Sequence, residues 1–134
     1  MLNPDDGVSL EALDLLHRAV DNPDAYWHDV EEWMASDDSV CAAEGNLIAG
    51  AACRVEDPVR AIAYFEEARR LFIGRNYYPE AATTTRILSL LFEHRADDRV
   101  AAELHRTLAA EYRDEAESGK HPRIEPPLMD DDHA

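Results

Sequence analysis

Basic side chains are scarce in this 134-residue chain: one lysine, Lys120, and twelve arginines stand against 29 acids, for a net charge of −16. A surface of that sign repels phosphate backbones and anionic headgroups, so nonspecific nucleic-acid binding and attachment to an acidic membrane are disfavoured. Basic proteins or cations are the favoured partners. Cysteine is nearly absent as well. Cys41 and Cys53 fall twelve positions apart on one expected helix, about 18 Å along its axis, whereas a disulfide needs α-carbons within roughly 7 Å. The cysteines give no support to a secreted, disulfide-stapled domain. No apolar run approaches the ~18 residues of a membrane span, and the opening MLNPDDGVSL has no basic stretch leading into an apolar one. The expectation is a cytoplasmic protein that uses neither membrane nor nucleic acid directly.

Signatures of catalysis are also missing. The chain has no Gly-rich phosphate loop, no HExxH and no paired CxxC. A carboxylate metal site, the remote alternative, would need Asp14 and His17, Glu44, or Asp24, His28, Glu31 and Glu32 to converge. A di-iron bundle requires two Glu-x-x-His pairs, and none is present. Neither cysteine has a neighbouring base recognisable from sequence. No enzyme activity, cofactor or metal is expected.

What the chain does have is helical patterning, enough for one all-α domain over residues 1–119. Ser9 is placed to cap a first helix, about 10–20, with Val8 and Leu13 as a hydrophobic staple and Leu10, Leu13, Leu16 and Val20 as its buried stripe. His17 falls inside that stripe, as a core or boundary histidine. Asn22-Pro23 opens a second helix, about 23–35, whose Tyr26, Trp27, Val30, Trp33 and Met34 share one face opposite Asp24, His28, Glu31 and Glu32. The two tryptophans read as anchors to the core. After the turn Ser36–Ser39, a third helix, about 39–55, is rich in small residues, and its glycines 45 and 50 suggest that another backbone comes close. Glu44 projects among its apolar residues and would need a partner such as an arginine of the next helix.

That next helix, about 58–73, has Asp57 as cap, Pro58 in its first turn and Gly74 or Asn76 to end it. Its apolar arc of roughly 200 degrees exceeds the ~100 degrees of a helix resting on one neighbour, so it reads as the structural spine, packed from both flanks. A fifth helix, about 79–95, begins at Pro79 and runs through Thr83, Thr84 and Thr85, where β-strand competes locally. A sixth, about 98–118, carries a narrow stripe of Val100, Ala101, Leu104, Leu108 and Tyr112. From Lys120 to residue 134 the pattern stops, giving an extended or disordered acidic tail. Within it, Pro126-Pro127 restricts the chain next to Leu128 and Met129, the form of a linear binding motif.

The six helices group as three antiparallel hairpins, in a compact bundle or a short right-handed stack. EGNLIAGAACRVEDPVRAIAYFEEARRLF and TTTRILSLLFEHRADDRVAAELHRTLAAEY superpose at a spacing of about 39 residues. The first of these resembles a tetratricopeptide repeat, with Ile48, Ala49, Ala61, Phe65 and Ala68 where that pattern places its large, small, small, aromatic and small residues. Gly45 and Ala52 stand where the pattern has aromatics, and the spacing is longer than 34. The resemblance implies a stack of hairpins with a concave peptide-binding face.

Charge is distributed as a pole. Residues 1–38 hold eleven acids and Arg18 alone, whereas residues 39–96 hold seven of each sign. Adaptation to high salt would acidify every exposed surface, the neutral middle included. The leading expectation is therefore a non-enzymatic interaction module whose Asp14, Asp21, Asp24, Asp29, Glu31, Glu32, Asp37 and Asp38 meet a basic protein surface, as an inhibitor, immunity protein, antitoxin or nucleic-acid mimic of the anti-CRISPR kind would. The alternative is a repeat-type adaptor holding a peptide near Arg75, Tyr77, Tyr78 and Arg86. A homo-oligomer is compatible with either.

Overall fold

Six helices and no strand make up residues 8–118, the part of the chain described by the computed structural model. They are α1 (Leu10–Asp21), α2 (Pro23–Met34), α3 (Ser39–Cys53), α4 (Pro58–Gly74), α5 (Tyr78–His94) and α6 (Arg99–Ser118). The N-terminal seven residues, the expected boundary at residue 119 and the tail lie outside the described residues. Every helix except α5 begins where a side chain takes up an orphan amide. Ser9 Oγ accepts from Ala12, Asn22 Oδ1 from Ala25, Asp38 Oδ1 from Val40, Asp57 Oδ1 from Arg60 and Asp98 Oδ1 from Ala101. Proline in the first turn adds preorganised backbone to α2, α4 and α5. Asn76, at φ 60°, turns the chain out of α4 while Tyr77 N–H bonds to Phe72 O at 2.9 Å.

The helices form an all-α bundle in which each packs on its sequence neighbour, and α1 also packs on α3. α4 is packed from both flanks, by α3 and α5, as expected, and α3 is enclosed further still. Nine consecutive residues, Ala42 to Gly50, are buried, because α1, α2 and α4 all lean on this one helix. Its small residues permit that. A methyl group on Gly45 would stand 2.6 Å from Met34 N and 2.9 Å from the Trp33 carbonyl carbon, and one on Gly50 would stand 2.8 Å from the Phe65 ring. The α2 backbone and the α4 aromatic thus sit where any Cβ would be.

Two buried stripes are rotated from the expected ones. In α1 the buried set is Ala12, Leu13, Leu15, Leu16 and Ala19, while Leu10 is 70% exposed and His17 points to solvent. In α6 it is Ala102, His105, Ala109 and Tyr112, with Val100 82% and Leu104 65% exposed. In α1 three leucines are buried together with the alanines; in α6 small residues replace larger ones at the contact. Alanines let a neighbouring helix come close, and the total contact surface outweighs the burial of one or two larger side chains. His105 fits because its Nδ1 lies 2.8 Å from Ala101 O and its ring lies on Phe92, centroids 4.9 Å apart.

The α2 tryptophans are half-buried, and Val30 alone of that helix is fully enclosed. Trp27 packs edge-on to Tyr64 at 6.1 Å, with the Arg60 guanidinium 5.4 Å from the Trp27 ring. The threonine run is helical and buried. Thr84 and Thr85 donate to the carbonyls of Glu80 and Ala81, which satisfies hydroxyls that could otherwise favour strand.

Opposite outcomes are expected at two glycines. Gly45→Ala should destabilise the fold by about 1–3 kcal/mol through overpacking against α2. Gly74→Ala, at the end of α4 with nothing within 4 Å, should stabilise it by about 0.5 kcal/mol. Urea unfolding monitored by circular dichroism measures both.

Candidate acidic interface

The position of the acidic hairpin depends on Glu44. This α3 carboxylate is 6% exposed and accepts from Ser9 N–H at 2.9 Å and from the Ser9 hydroxyl at 3.2 Å. Its partner is therefore the cap of α1 and not an arginine of α4. Ser9 in turn accepts from Ala12, so one buried carboxylate ties the start of α1 to the middle of α3. Burial pushes the Glu44 carboxyl above the usual carboxylate range, and the two bonds from Ser9 partly offset this.

With α1 held there and α2 pressed against Gly45, the two helices enclose a shallow cleft of about 510 Å³. Glu11 and Asp14 of α1 face Asp29 and Glu32 of α2 across it, and Leu10, Leu15 and Trp33 supply the apolar surface between them. Asp14 is bonded to Arg18 at 3.0 Å, and Glu32 lies 4.0 Å from His28 Nε2. Among the described residues Glu11 and Asp29 have no cationic partner. Four carboxylates so placed give a negative field focused on an apolar patch. They do not converge as metal ligands, since no group of three such side chains among the described residues could hold an ion.

Of the eight acids expected to bind a partner, Asp14, Asp29 and Glu32 line this cleft. Asp21, Asp24, Glu31 and Asp37 are exposed elsewhere, and Asp38 caps α3. Glu11 was missed, although its i,i+3 spacing to Asp14 matches that of Asp29 to Glu32. The four alternative groove residues do not form one surface. Tyr78 is fully buried with its ring 6.3 Å from that of Tyr112, while Arg75 lies over Tyr77 at 6.0 Å and reaches Ser39 at 3.2 Å. Arg86 instead borders a second cavity, between α1, α3 and α5. Tyr112 is itself a buried phenol, its pKa pushed up to about 12 by burial and drawn partly back by the Arg69 guanidinium.

No protein-family model matches the chain, and no curated protein or solved structure matches it. No helix among the described residues is long and apolar enough to cross a membrane.

Glu44, buried, and Glu80, half-buried, make stability depend on pH in a definite direction. Burial raises the pKa of Glu80, and the charge of Glu44 adds to it. The folded state then holds its proton at a higher pH than the unfolded state. Stability from this group is greatest at low pH and is lost as pH rises from the unfolded pKa of about 4.3 through the raised folded value. Glu80→Gln should therefore raise the melting temperature at neutral pH, with the gain shrinking as pH falls below ~4. Thermal unfolding of both proteins across that range is the measurement.

Proposed function

We propose that this protein is a non-enzymatic protein–protein interaction module whose α1–α2 cleft binds a basic, partly apolar surface of another protein. The observation that carries the reading is the cleft itself, four carboxylates around Leu10 and Trp33 on a 38-residue segment with a single base. Like charges so close cost folding energy and contribute nothing to the core, whereas opposite a basic partner they steer encounter and set register. The half-buried Trp33 and exposed Leu10 supply apolar contact beside the charges, an aromatic anchor with a charged rim. The complement is an apolar side chain flanked by lysines or arginines. A module of this kind occludes the basic surface it covers, in the manner of an inhibitor, immunity protein, antitoxin or nucleic-acid mimic, and acts in the cytoplasm on a protein rather than on nucleic acid or membrane.

The test is affinity capture at low and high salt with mass spectrometry. A basic protein recovered at low ionic strength should be lost at high ionic strength, where exposed charges are screened over a few ångströms. Asp29→Lys with Glu32→Lys should abolish its recovery. The same reversal at Asp21 and Asp37, outside the cleft, should weaken recovery only modestly. Undiminished recovery by the Asp29/Glu32 variant overturns the reading.

A further inference from the structure

Among the described residues one arginine is buried: Arg69, in α4, is 4% exposed. A guanidinium is always charged, so the fold holds a full positive charge inside it, and such a charge is destabilising unless an anion stands against it. No described acid does so. Arg18, Arg70 and Arg106 pair with carboxylates, whereas no described carboxylate forms an ion pair with Arg69, and its Nε–H has no hydrogen-bond partner among the described residues. What faces it is a second donor. Tyr112 of α6 is fully buried, its hydroxyl also lacks a partner among the described residues, and the guanidinium stands close enough to act on the phenol. Glu115, one turn further along α6, buries an oxygen without a partner too, but the groups that act most on the phenol are Arg69, Glu111 and Tyr78. The two donors meet from helices that each pack on α5 and scarcely on each other, so side chains alone span this seam.

We propose that Arg69 and Tyr112 form an anion site, in which one oxyanion group, of a phosphate or a carboxylate, enters the seam between α4 and α6 and accepts hydrogen bonds from Arg69 Nε–H and the Tyr112 hydroxyl. Two features favour an anion over a water. The deficit is of charge as well as of hydrogen bonds, and a water supplies an acceptor but leaves the charge uncompensated. Both orphaned groups donate, and a charged oxygen is the acceptor to which a guanidinium makes its shortest and strongest bonds. The chain's net charge of −16 repels anions at long range, but Arg69 and Tyr112 are shielded from water, where a charge-assisted bond is stronger than in solution. Exposed arginines have no such advantage. Bound at Arg69, the oxyanion joins α6 to α4 and stabilises the C-terminal hairpin of α5 and α6. The site is separate from the acidic cleft and does not depend on a partner binding there.

The experiment is a titration of the full-length protein with inorganic phosphate, read by NMR at the Arg69 Nε–H signal and the α6 amides. Both should shift saturably, and the α6 amides should exchange hydrogen more slowly at saturation. Tyr112→Phe removes one donor with little change in volume and should raise the half-saturating concentration about tenfold or more, as expected for a lost hydrogen bond to a charged group. Arg69→Met, which keeps an apolar stem and loses the charge, should abolish saturation. The Nε–H titration and Tyr112→Phe test the site independently if that variant does not fold. Acetate, run in parallel, separates the sources, since whichever of the two saturates the site names the group it takes. Potassium chloride at matched ionic strength should leave both signals unmoved. The proposal is overturned by shifts that chloride reproduces, by saturation that persists in Arg69→Met or is unweakened in Tyr112→Phe, or by an Nε–H signal that ignores both oxyanions, the mark of an internal water only.

Discussion

At Gly45 the third helix meets the backbone of Trp33 and Met34 at a distance that leaves space for a hydrogen atom and nothing larger. The acidic cleft between α1 and α2 depends on that contact. It sets how close α2 lies to α3, and the neighbouring Glu44 sets where α1 begins by holding both polar atoms of Ser9. Two adjacent residues on a buried helix therefore position both walls of the acidic cleft. A bulkier α3 would move α2 outward and separate Asp29 and Glu32 from Glu11 and Asp14.

The molecule separates its charges in space as well as in sequence. Three arginines pair with acids close by, Arg18 with Asp14, Arg70 with Glu67, and Arg106 with Glu93 and Glu103. Such exposed pairs add little stability. One face of α1 lines the acidic cleft through Glu11 and Asp14, and another lines the second cavity through the apolar Leu16 and Val20.

Helix number, order and ends were legible because they are encoded locally. Ser9, Asn22, Asp57 and the prolines each act on amides within three residues, and the observed ends fall within two residues of those expected. Facing directions were less legible. In α1 the stripe turns far enough to bury Leu15 and expose Leu10, and in α6 Val100 and Leu104 point one way while Ala102 and Ala109 are buried, because the closeness of helix axes is a property of pairs of helices. The partner of Glu44 is 35 residues away at Ser9, and no periodicity links the two. The cleft was half legible: the acids of both helices stood out, but which of them face each other depends on the Gly45 contact and on the rotation of α1.

The packing map has a kinetic consequence. Nearly every strong helix contact joins elements consecutive in the chain, α1 to α3 being the longest step. Such local topologies have low contact order and fold fast, since little loop entropy is lost before contacts form. They also open from their ends, as near-neighbour arrays do. The α1–α2 hairpin is one such end, held by the Ser9 tie and by its packing on α3, so its amides should exchange hydrogen ahead of those in α3 to α6. The acidic cleft thus lies on the part of the fold expected to open first.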